Sequence, residues 1–277
     1  NVLKCNSCEL IRTDPLPTIN TMEYYYPKEY APYVNTKKPR QQSKFKKKIK
    51  KFTNFFFDTK GQSIPNISVG NILDFGCASG EFLLKMKNKG WKVFGIETSK
   101  EAADYANNLE LNVYHGPLEE AKKPNCPELN LIVGWMAVEH LHDPISAFKK
   151  LHTWSNKDTY LTFSIPNAES FEFNLFKKNW YALQVPTHVH HFTPKTINKI
   201  LEMSGWKLEK VIYQRSVTNI IASIGHVLES FGCKRTGKFF LNYAHNPMKL
   251  NYLLYPIALI LSIFKQSGRI TIWAKIK

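Results

Sequence analysis

The chain has 277 residues, 43% of them hydrophobic, which is enough to bury the core of one large α/β domain with appendages. Its formal charge is +16, but nine Lys and Arg lie without an acid between Lys37 and Lys51, which leaves +7 for the rest. Overall charge is therefore a weak argument for nucleic-acid binding. Five cysteines without regular spacing exclude a disulfide-stapled secreted domain and favour a reducing compartment, the cytoplasm.

Residues 1–35 form an N-terminal arm rich in Pro, Tyr and Asn, and we expect it to be irregular. The first residues show neither a signal-peptide pattern nor an initiator Met, so we expect the chain to be part of a longer one. Cys5 and Cys8 have the spacing of half a zinc knuckle, but tetrahedral zinc needs four ligands and no second pair follows nearby. Two free thiols and a metal site with its other half missing are both open, and no metal ligand is assigned.

Residues 36–60 are predicted to form a basic amphipathic helix. Phe45, Ile49, Phe52 and Phe56 share one helical face, and lysines surround it. The favoured interpretation is a helix that lies on the main domain with a solvated outer face. The alternative is a surface that docks peripherally on an anionic membrane or a polyanionic substrate.

From Asn71 onward, apolar strand patterns alternate with helical patterns, which predicts a mostly parallel sheet covered on both faces. This main domain spans residues 61–277. Ser99, Asp143 and Thr193 are predicted to cap helices. The predicted strands are 71–75, 91–97, 111–115, 129–135, 159–166, 206–214 and 269–277; the predicted helices are 80–89, 99–109, 143–154 and 193–205.

Residues 217–265 are predicted to be a helical insertion. Its uncharged run from Leu250 to Phe264 is shorter than the roughly 20 residues that span a bilayer, and Pro256 interrupts it, so we expect no membrane crossing. The insertion has three candidate roles: a cap over the substrate pocket, a homodimer surface, or a segment resting on a membrane. Its low charge favours the first two.

The loop after the first strand of the main domain, Gly76 to Gly80, has small residues at positions 76, 78 and 80, which let a ligand approach the backbone closely. Glu97 ends the next strand, where a carboxylate can accept both hydroxyls of a ribose. The dinucleotide fingerprint fails, because Glu81 stands at its third glycine, and no Gly-Lys-Ser/Thr follows for a phosphate loop. The loop therefore favours a ligand with a ribose and adenine but without phosphates.

Three stretches carry a family resemblance. "ILDFGCASGEFLLKMKNKGWKVFGIETSKEAADYA" resembles the first motif and second strand of class I S-adenosylmethionine-dependent methyltransferases, and "LNLIVGWMAVEHLHDP" looks like their fourth strand with the Glu-His-Leu sequence after it. "VPTHVHHFTPKTINKILEMSGWKLEKV" and the Cys-x-x-Cys arm are similar to a bacterial subgroup with an N-terminal zinc-ribbon arm. Many of its members modify sugars of surface polysaccharides, and ubiquinone-pathway O-methyltransferases are more distant relatives.

The resemblance implies a Rossmann-like class I methyltransferase fold with a seven-stranded sheet and an antiparallel last strand. It implies S-adenosyl-L-methionine as cofactor and S-adenosyl-L-homocysteine as product. Ala78 departs from the family's middle glycine. The implied cofactor-binding residues are Asp74, Gly76, Cys77, Ala78 and Gly80 for the methionine end, Glu97 for the ribose, Thr98 and Leu118 beside the adenine, and Trp135 and Met136 under the cofactor.

Methyl transfer to a hydroxyl needs a base, and histidine suits this role near neutral pH. His140 follows the fourth strand at the edge where ligands bind, and His188 and His191 lie in the loop before a capped helix. We expect His140 or His191 to deprotonate the acceptor, although a structural role is open for each of the three. Trp180 and Tyr181 are candidates to stack on the acceptor or to pack in the core.

The expected partner is a small-molecule acceptor, most naturally a hydroxyl or amine of a sugar or nucleotide sugar for polysaccharide biosynthesis, with a quinone-like phenol also open. An RNA methyltransferase is the first alternative. "GWMAVEH" differs from the Asn/Asp-Pro-Pro-aromatic motif of amino-group methylases, and Cys126 precedes Pro127 where cytosine enzymes need Pro-Cys, so no nucleic-acid partner is expected. The second alternative is a non-catalytic protein of the same fold docked on a membrane.

Overall fold

Short apolar runs form the strands of two sheets in the computed structural model, which describes residues 1–25, 61–245 and 254–277. The predicted basic helix at 36–60 lies outside the described residues. The strands are β1 Val2–Lys4, β2 Ile11–Thr13, β3 Asn71–Phe75, β4 Lys92–Glu97, β5 Asn112–His115, β6 Leu131–Trp135, β7 Tyr160–Pro166, β8 His190–His191, β9 Trp206–Tyr213 and β10 Arg269–Ile276.

The main sheet has seven strands in the order β5-β4-β3-β6-β7-β10-β9. Its strands β3 to β7 pair in parallel, and β10 pairs antiparallel to both β7 and β9. The predicted seven-stranded fold with an antiparallel last strand is confirmed. The strand order reverses at β3, which lies between β4 and β6, and in open α/β sheets ligands bind beyond the carboxyl ends of the strands at this point. We call the edge where β3 to β7 end the ligand edge.

Helices connect the strands, and the predicted caps form. The Ser99 side chain accepts the Ala102 N–H, Asp143 accepts that of Ser146, and Thr193 forms a capping box with Thr196. The helices are α1 Ile19–Met22, α2 Glu81–Lys87, α3 Lys100–Asn108, α4 Pro144–Thr153, α5 Phe171–Phe176, α6 Pro194–Met203, α7 Thr218–Ser230, α8 Lys234–His245 and α9 Tyr255–Ile263.

The core has one apolar layer on each face of the main sheet. On one face α4 and α6 bury Phe148, Leu151, Ile197 and Leu201 against strand residues such as Phe163. On the other face α2 and α3 bury Leu83, Met86, Ala103 and Ala106 against β3, β4 and β6. Both faces of the strands are covered, which explains why the sequence shows apolar runs here instead of alternation.

The described part of the N-terminal arm, residues 1–25, is more ordered than the irregular segment expected from the sequence. Its strands β1 and β2 pair antiparallel, and β2 also pairs with β8, so the arm and the loop before α6 form one three-stranded sheet. The Thr13 N–H donates to the Val189 carbonyl (3.0 Å), and Thr13 Oγ1 donates to the His188 carbonyl (2.7 Å). Strands of two or three residues are too short to show a period of two in the sequence.

The helical insertion contains α7, α8 and α9 with residues 246–253 outside the description, and it leaves several large apolar side chains exposed, among them Phe231, Phe239 and Phe264. Within the described parts of the chain, none of the helices combines the length and apolar character that crossing a bilayer requires.

Gly134 lets β6 pack under the ring of Phe75. A Cβ added at Gly134 would lie 2.6 Å from Cε2 and 2.7 Å from Cε1 of Phe75, and both residues are in the buried centre of the sheet. We expect Gly134→Ala to lower the free energy of unfolding by about 1–3 kcal/mol, as overpacking does, in urea denaturation followed by circular dichroism. In the Gly134→Ala/Phe75→Leu double variant the loss should be smaller than the sum of the two single losses; additive losses would contradict the contact.

Candidate active site

The loop after β3 makes a shallow cradle at the ligand edge. Gly76, Ala78 and Gly80 all have positive φ, at 70°, 47° and 77°. The N–H groups of Gly76 and Cys77 both donate to the Ile96 carbonyl, at 2.8 and 3.2 Å, which fixes the loop over the end of β4. Gly80 leads directly into α2, and a Cβ there would lie 2.5 Å from Leu111 Cδ1, so glycine is required by both its φ and its packing.

Glu97 closes the far side of this cradle. It is 4% exposed, its Oε2 accepts the Ala78 N–H at 2.7 Å, and its Oε1 accepts the Ser99 N–H at 2.8 Å. Burial raises the pKa of this carboxyl above its usual range, and the backbone N–H groups oppose that effect. The Thr98 hydroxyl also donates to Oε1 at 3.4 Å, so Oε2 is the oxygen with a lone pair left for a ribose hydroxyl.

Asp74 lies beneath the cradle and has an unused acceptor. It is 1% exposed, and its Oδ1 has no hydrogen-bond partner among the described residues. Burial and the nearby Glu97 carboxylate raise the pKa of Asp74 well above its usual range. A cationic group in the cradle would give this buried carboxyl the partner that it lacks.

The end of β6 supplies the apolar floor of the site. Trp135 packs edge-to-face on Phe82 with ring centroids 5.3 Å apart, and its Nε1 is buried without a partner in the described chain. Met136 has a φ of 56°, and its N–H donates to the Ser164 carbonyl at 3.0 Å. Leu118 is buried in the core layer on the side of α4, and Thr98 Oγ1 lies 3.4 Å from Glu97 Oε1.

The groups of this site can be compared with the groups of S-adenosylmethionine. The α-ammonium group of its methionine end suits the unpaired Asp74 Oδ1, its ribose hydroxyls suit Glu97, and its apolar parts suit Trp135 and Met136. The positive-φ loop leaves room for close approach without offering a lysine to a phosphate. The residues therefore fit this cofactor, and the individual contacts stay predictions.

Beside the cradle, Glu139, His140 and His188 form what we call the acid–histidine cluster. Glu139 and His140 belong to a 3-10 turn, Val138–His140, directly after β6. The loop with His188 is tied to this turn, because the Val189 N–H donates to the Glu139 carbonyl (2.9 Å) and His140 Nδ1 donates to the Thr187 carbonyl (2.8 Å). The rings of His140 and His188 meet edge-to-face at 4.7 Å.

Burial keeps the acid–histidine cluster uncharged near neutral pH. It raises the pKa of Glu139 to about 8, although the Arg269 guanidinium lowers it. It lowers the pKa of His140 to about 4, and burial with the nearby His140 and His191 lowers the pKa of His188 well below its usual range. Both histidines therefore carry a lone pair at neutral pH.

Further polar side chains line the ligand edge next to the cluster. Arg269 begins β10 opposite Pro166, the last residue of β7, and its side chain is half-buried. Glu172, in α5, accepts the Trp180 Nε1–H at 3.3 Å, and burial raises its pKa to about 7. Tyr181 is also half-buried and stacks on His226 at 5.9 Å. This edge therefore has many hydrogen-bonding groups.

The structure brings His140 and His188 together but places His191 elsewhere. His191 belongs to β8, is buried, and has its Nε2 3.3 Å from Thr13 Oγ1, a position that joins the arm to the domain. Trp180 is buried against Phe173 and Glu172, so it packs in the core and offers no exposed stacking face. Cys5 and Cys8 are both exposed, and the neighbouring Cys8 and Ser7 lower the pKa of Cys5.

Sequence reasoning missed Glu139 as a site residue, as well as Glu172 and Arg269. Glu139 could have been found, because an acid next to a histidine directly after a parallel strand lies at the ligand edge. Arg269 carries no local signal, since it reaches the same edge only through the antiparallel return of β10, and Glu172 lies in α5, the helix that follows β7.

Comparison with known proteins adds to this geometry. The profile of a family described as a methyltransferase domain matches residues 41–211. The ubiquinone biosynthesis O-methyltransferase of Alkalilimnicola ehrlichii is 22% identical over 200 residues, covering 69% of this chain and 80% of that protein.

Two solved structures share the fold. An S-adenosylmethionine-dependent methyltransferase from Mesorhizobium loti superposes with a TM-score of 0.52 at 16% identity, covering 76% of this chain and 93% of that one. One from Archaeoglobus fulgidus has a TM-score of 0.50 at 18% identity, covering 83% and 93%.

Proposed function

Because this chain belongs to the methyltransferase-domain family and is an S-adenosylmethionine-dependent enzyme, we propose that it methylates a hydroxyl of a sugar or nucleotide sugar used for surface polysaccharide. The acid–histidine cluster at the ligand edge carries the proposal. Its Glu139 and His140 lie on the turn just after Trp135 and Met136, the residues expected to contact the cofactor.

The cofactor supplies an electrophilic methyl group on a sulfonium, and the protein supplies alignment and a route for the acceptor's proton. Asp74, the loop from Gly76 to Gly80 and Glu97 would hold it with its methyl group toward the cluster. The acid–histidine cluster would then receive the hydroxyl proton as the new oxygen–carbon bond forms and the sulfur–carbon bond breaks.

The character of the surrounding side chains supports a polar acceptor. Arg269, Glu172 and Tyr181 present a guanidinium, a carboxyl and a phenol hydroxyl near the cluster. A sugar offers many hydroxyls to such groups, whereas an apolar quinone precursor would offer them few additional hydrogen bonds. Within the same class of acceptor, a free amine of a sugar is the alternative group to be methylated.

The test is a panel of acceptors incubated with S-adenosylmethionine and read by mass spectrometry for the gain of one methylene unit. We expect methylated products among nucleotide sugars and none among catechol-like phenols or RNA. Glu97→Gln protein, with its weakened cofactor site, is the negative control. If only phenols or RNA were methylated, the proposed sugar acceptor would be wrong, and the methylated class would be the acceptor.

A further inference from the structure

The acid–histidine cluster has the composition and geometry of an open metal site. One donor atom from each of Glu139, His140 and His188 lies within 4.8 Å of the other two. Two imidazoles and one carboxylate are a donor set that zinc and other divalent transition metals bind in catalytic sites. The donors come from two chain segments, and these are joined by the backbone hydrogen bond from Val189 to Glu139.

Hydrogen bonds orient both histidines. Nδ1 of His140 lies 2.8 Å from the Thr187 carbonyl, and Nδ1 of His188 lies 2.8 Å from the Ala182 carbonyl. A carbonyl only accepts, so each Nδ1 carries the hydrogen and each Nε2 carries the lone pair. Metal-binding histidines show this arrangement, in which a carbonyl behind the ring fixes the tautomer and the orientation.

Glu139 supplies the strongest argument. It is 0% exposed, and neither carboxyl oxygen has a hydrogen-bond partner among the described residues. Its Oε1 is 4.0 Å from His188 Nε2, which is too long for a hydrogen bond. An ion at about 2.0–2.2 Å from each donor bridges such a gap after a small contraction. Within the described chain no ion pair of 4.0 Å or shorter joins Arg269 to Glu139. The guanidinium is therefore not the partner of the Glu139 carboxyl group.

We propose that Glu139, His140 and His188 bind a divalent transition-metal ion, of which zinc is the best match. Glu139 and His188 are buried, whereas His140 is partly exposed. A coordination position is therefore left on the open side, toward the acceptor. An acceptor hydroxyl bound there would lose its proton more readily, because the ion would stabilise the alkoxide. With both Nε2 atoms on the ion, the second Glu139 oxygen would be the group of the cluster left to take that proton. This last step rests on the proposed function; the binding of the ion does not.

The first experiment measures metal in purified full-length protein after removal of any histidine tag. The background is the Cys5→Ser/Cys8→Ser variant, since those exposed thiols could bind metal themselves. We expect about one equivalent of zinc after zinc loading and desalting. Cobalt loading should give the visible spectrum of a protein-bound ion.

In the same background, Glu139→Gln and His188→Gln should each lose the ion, while His115→Gln, an exposed histidine on β5, should keep it. Binding of S-adenosylhomocysteine by calorimetry shows that each variant is folded. No bound metal in the background protein, or equal metal in Glu139→Gln, would overturn the proposal.

Chelation separates the two proposals. Methyl transfer that persists in metal-free protein would leave the sugar acceptor intact and contradict a role of the ion in the transfer, whereas binding of the ion is decided by the loading experiment. A stoichiometric ion lost in Glu139→Gln, with no product from the sugar panel, would support the metal and contradict the acceptor. Activity lost on chelation and restored by zinc would support both.

Discussion

Glu97→Gln protein should bind S-adenosylhomocysteine about 100-fold more weakly than the unchanged protein. Glu97 accepts the N–H groups of Ala78 and Ser99 with its two oxygens, and Oε2 has a lone pair left for a ribose hydroxyl. A glutamine keeps one oxygen and turns an NH₂ group toward a backbone donor. The loss of a charged acceptor costs about 1.5–3 kcal/mol per hydrogen bond, and about 2.8 kcal/mol corresponds to 100-fold in affinity.

Isothermal calorimetry measures this change directly. Glu101→Gln is the matched control, because Glu101 lies four residues further on, in the exposed first turn of α3. It should bind S-adenosylhomocysteine as the unchanged protein does. Equal affinities for the Glu97 and Glu101 variants would contradict the ribose assignment.

His140→Ala should lower the rate of methyl transfer by about 100- to 10,000-fold, the range that positioned proton-transfer groups contribute. His140 is the partly exposed member of the acid–histidine cluster, so we expect it to be the one that faces the acceptor. Its removal leaves the glycine loop and Glu97 unchanged. Affinity for S-adenosylhomocysteine should therefore stay the same, and single-turnover kinetics with an acceptor from the panel should show the loss.

His142→Ala is the control for this substitution. His142 lies two residues along the same loop, and its Nε2–H donates to the Pro17 carbonyl at 2.9 Å, outside the cluster. We expect its rate to fall much less. If the two variants lose activity equally, the effect of His140 comes from the loop's conformation instead of its imidazole.

The cofactor side of the site could be predicted from the sequence, because its parts are local. Asp74, the loop to Gly80 and Glu97 follow one another within two strand–turn–helix units, and parallel strands bring their ends to one edge. The acceptor side could not be predicted in the same way. His188 reaches Glu139 through a loop 49 residues further along the chain, and Arg269 arrives through the last strand, so only the folded chain brings these groups together.

The arm shows the same limit. Its strands are too short to be predicted from periodicity. The Thr13 hydroxyl donates to the carbonyl of His188, which is 175 residues further along the chain. The caps Ser99, Asp143 and Thr193, in contrast, each act within three residues and were predicted at their observed positions.

The pairing of β2 with β8 divides the enzyme into two parts that can diverge separately. The cofactor cradle is contained in the segment from β3 to β6, whereas the loop with His188 is supported from outside by the first residues of the chain. Substitutions in the arm can shift the acceptor side while leaving the cradle untouched. In a lineage of related enzymes, changes in the arm could therefore alter the acceptor while binding of the methyl donor stays the same.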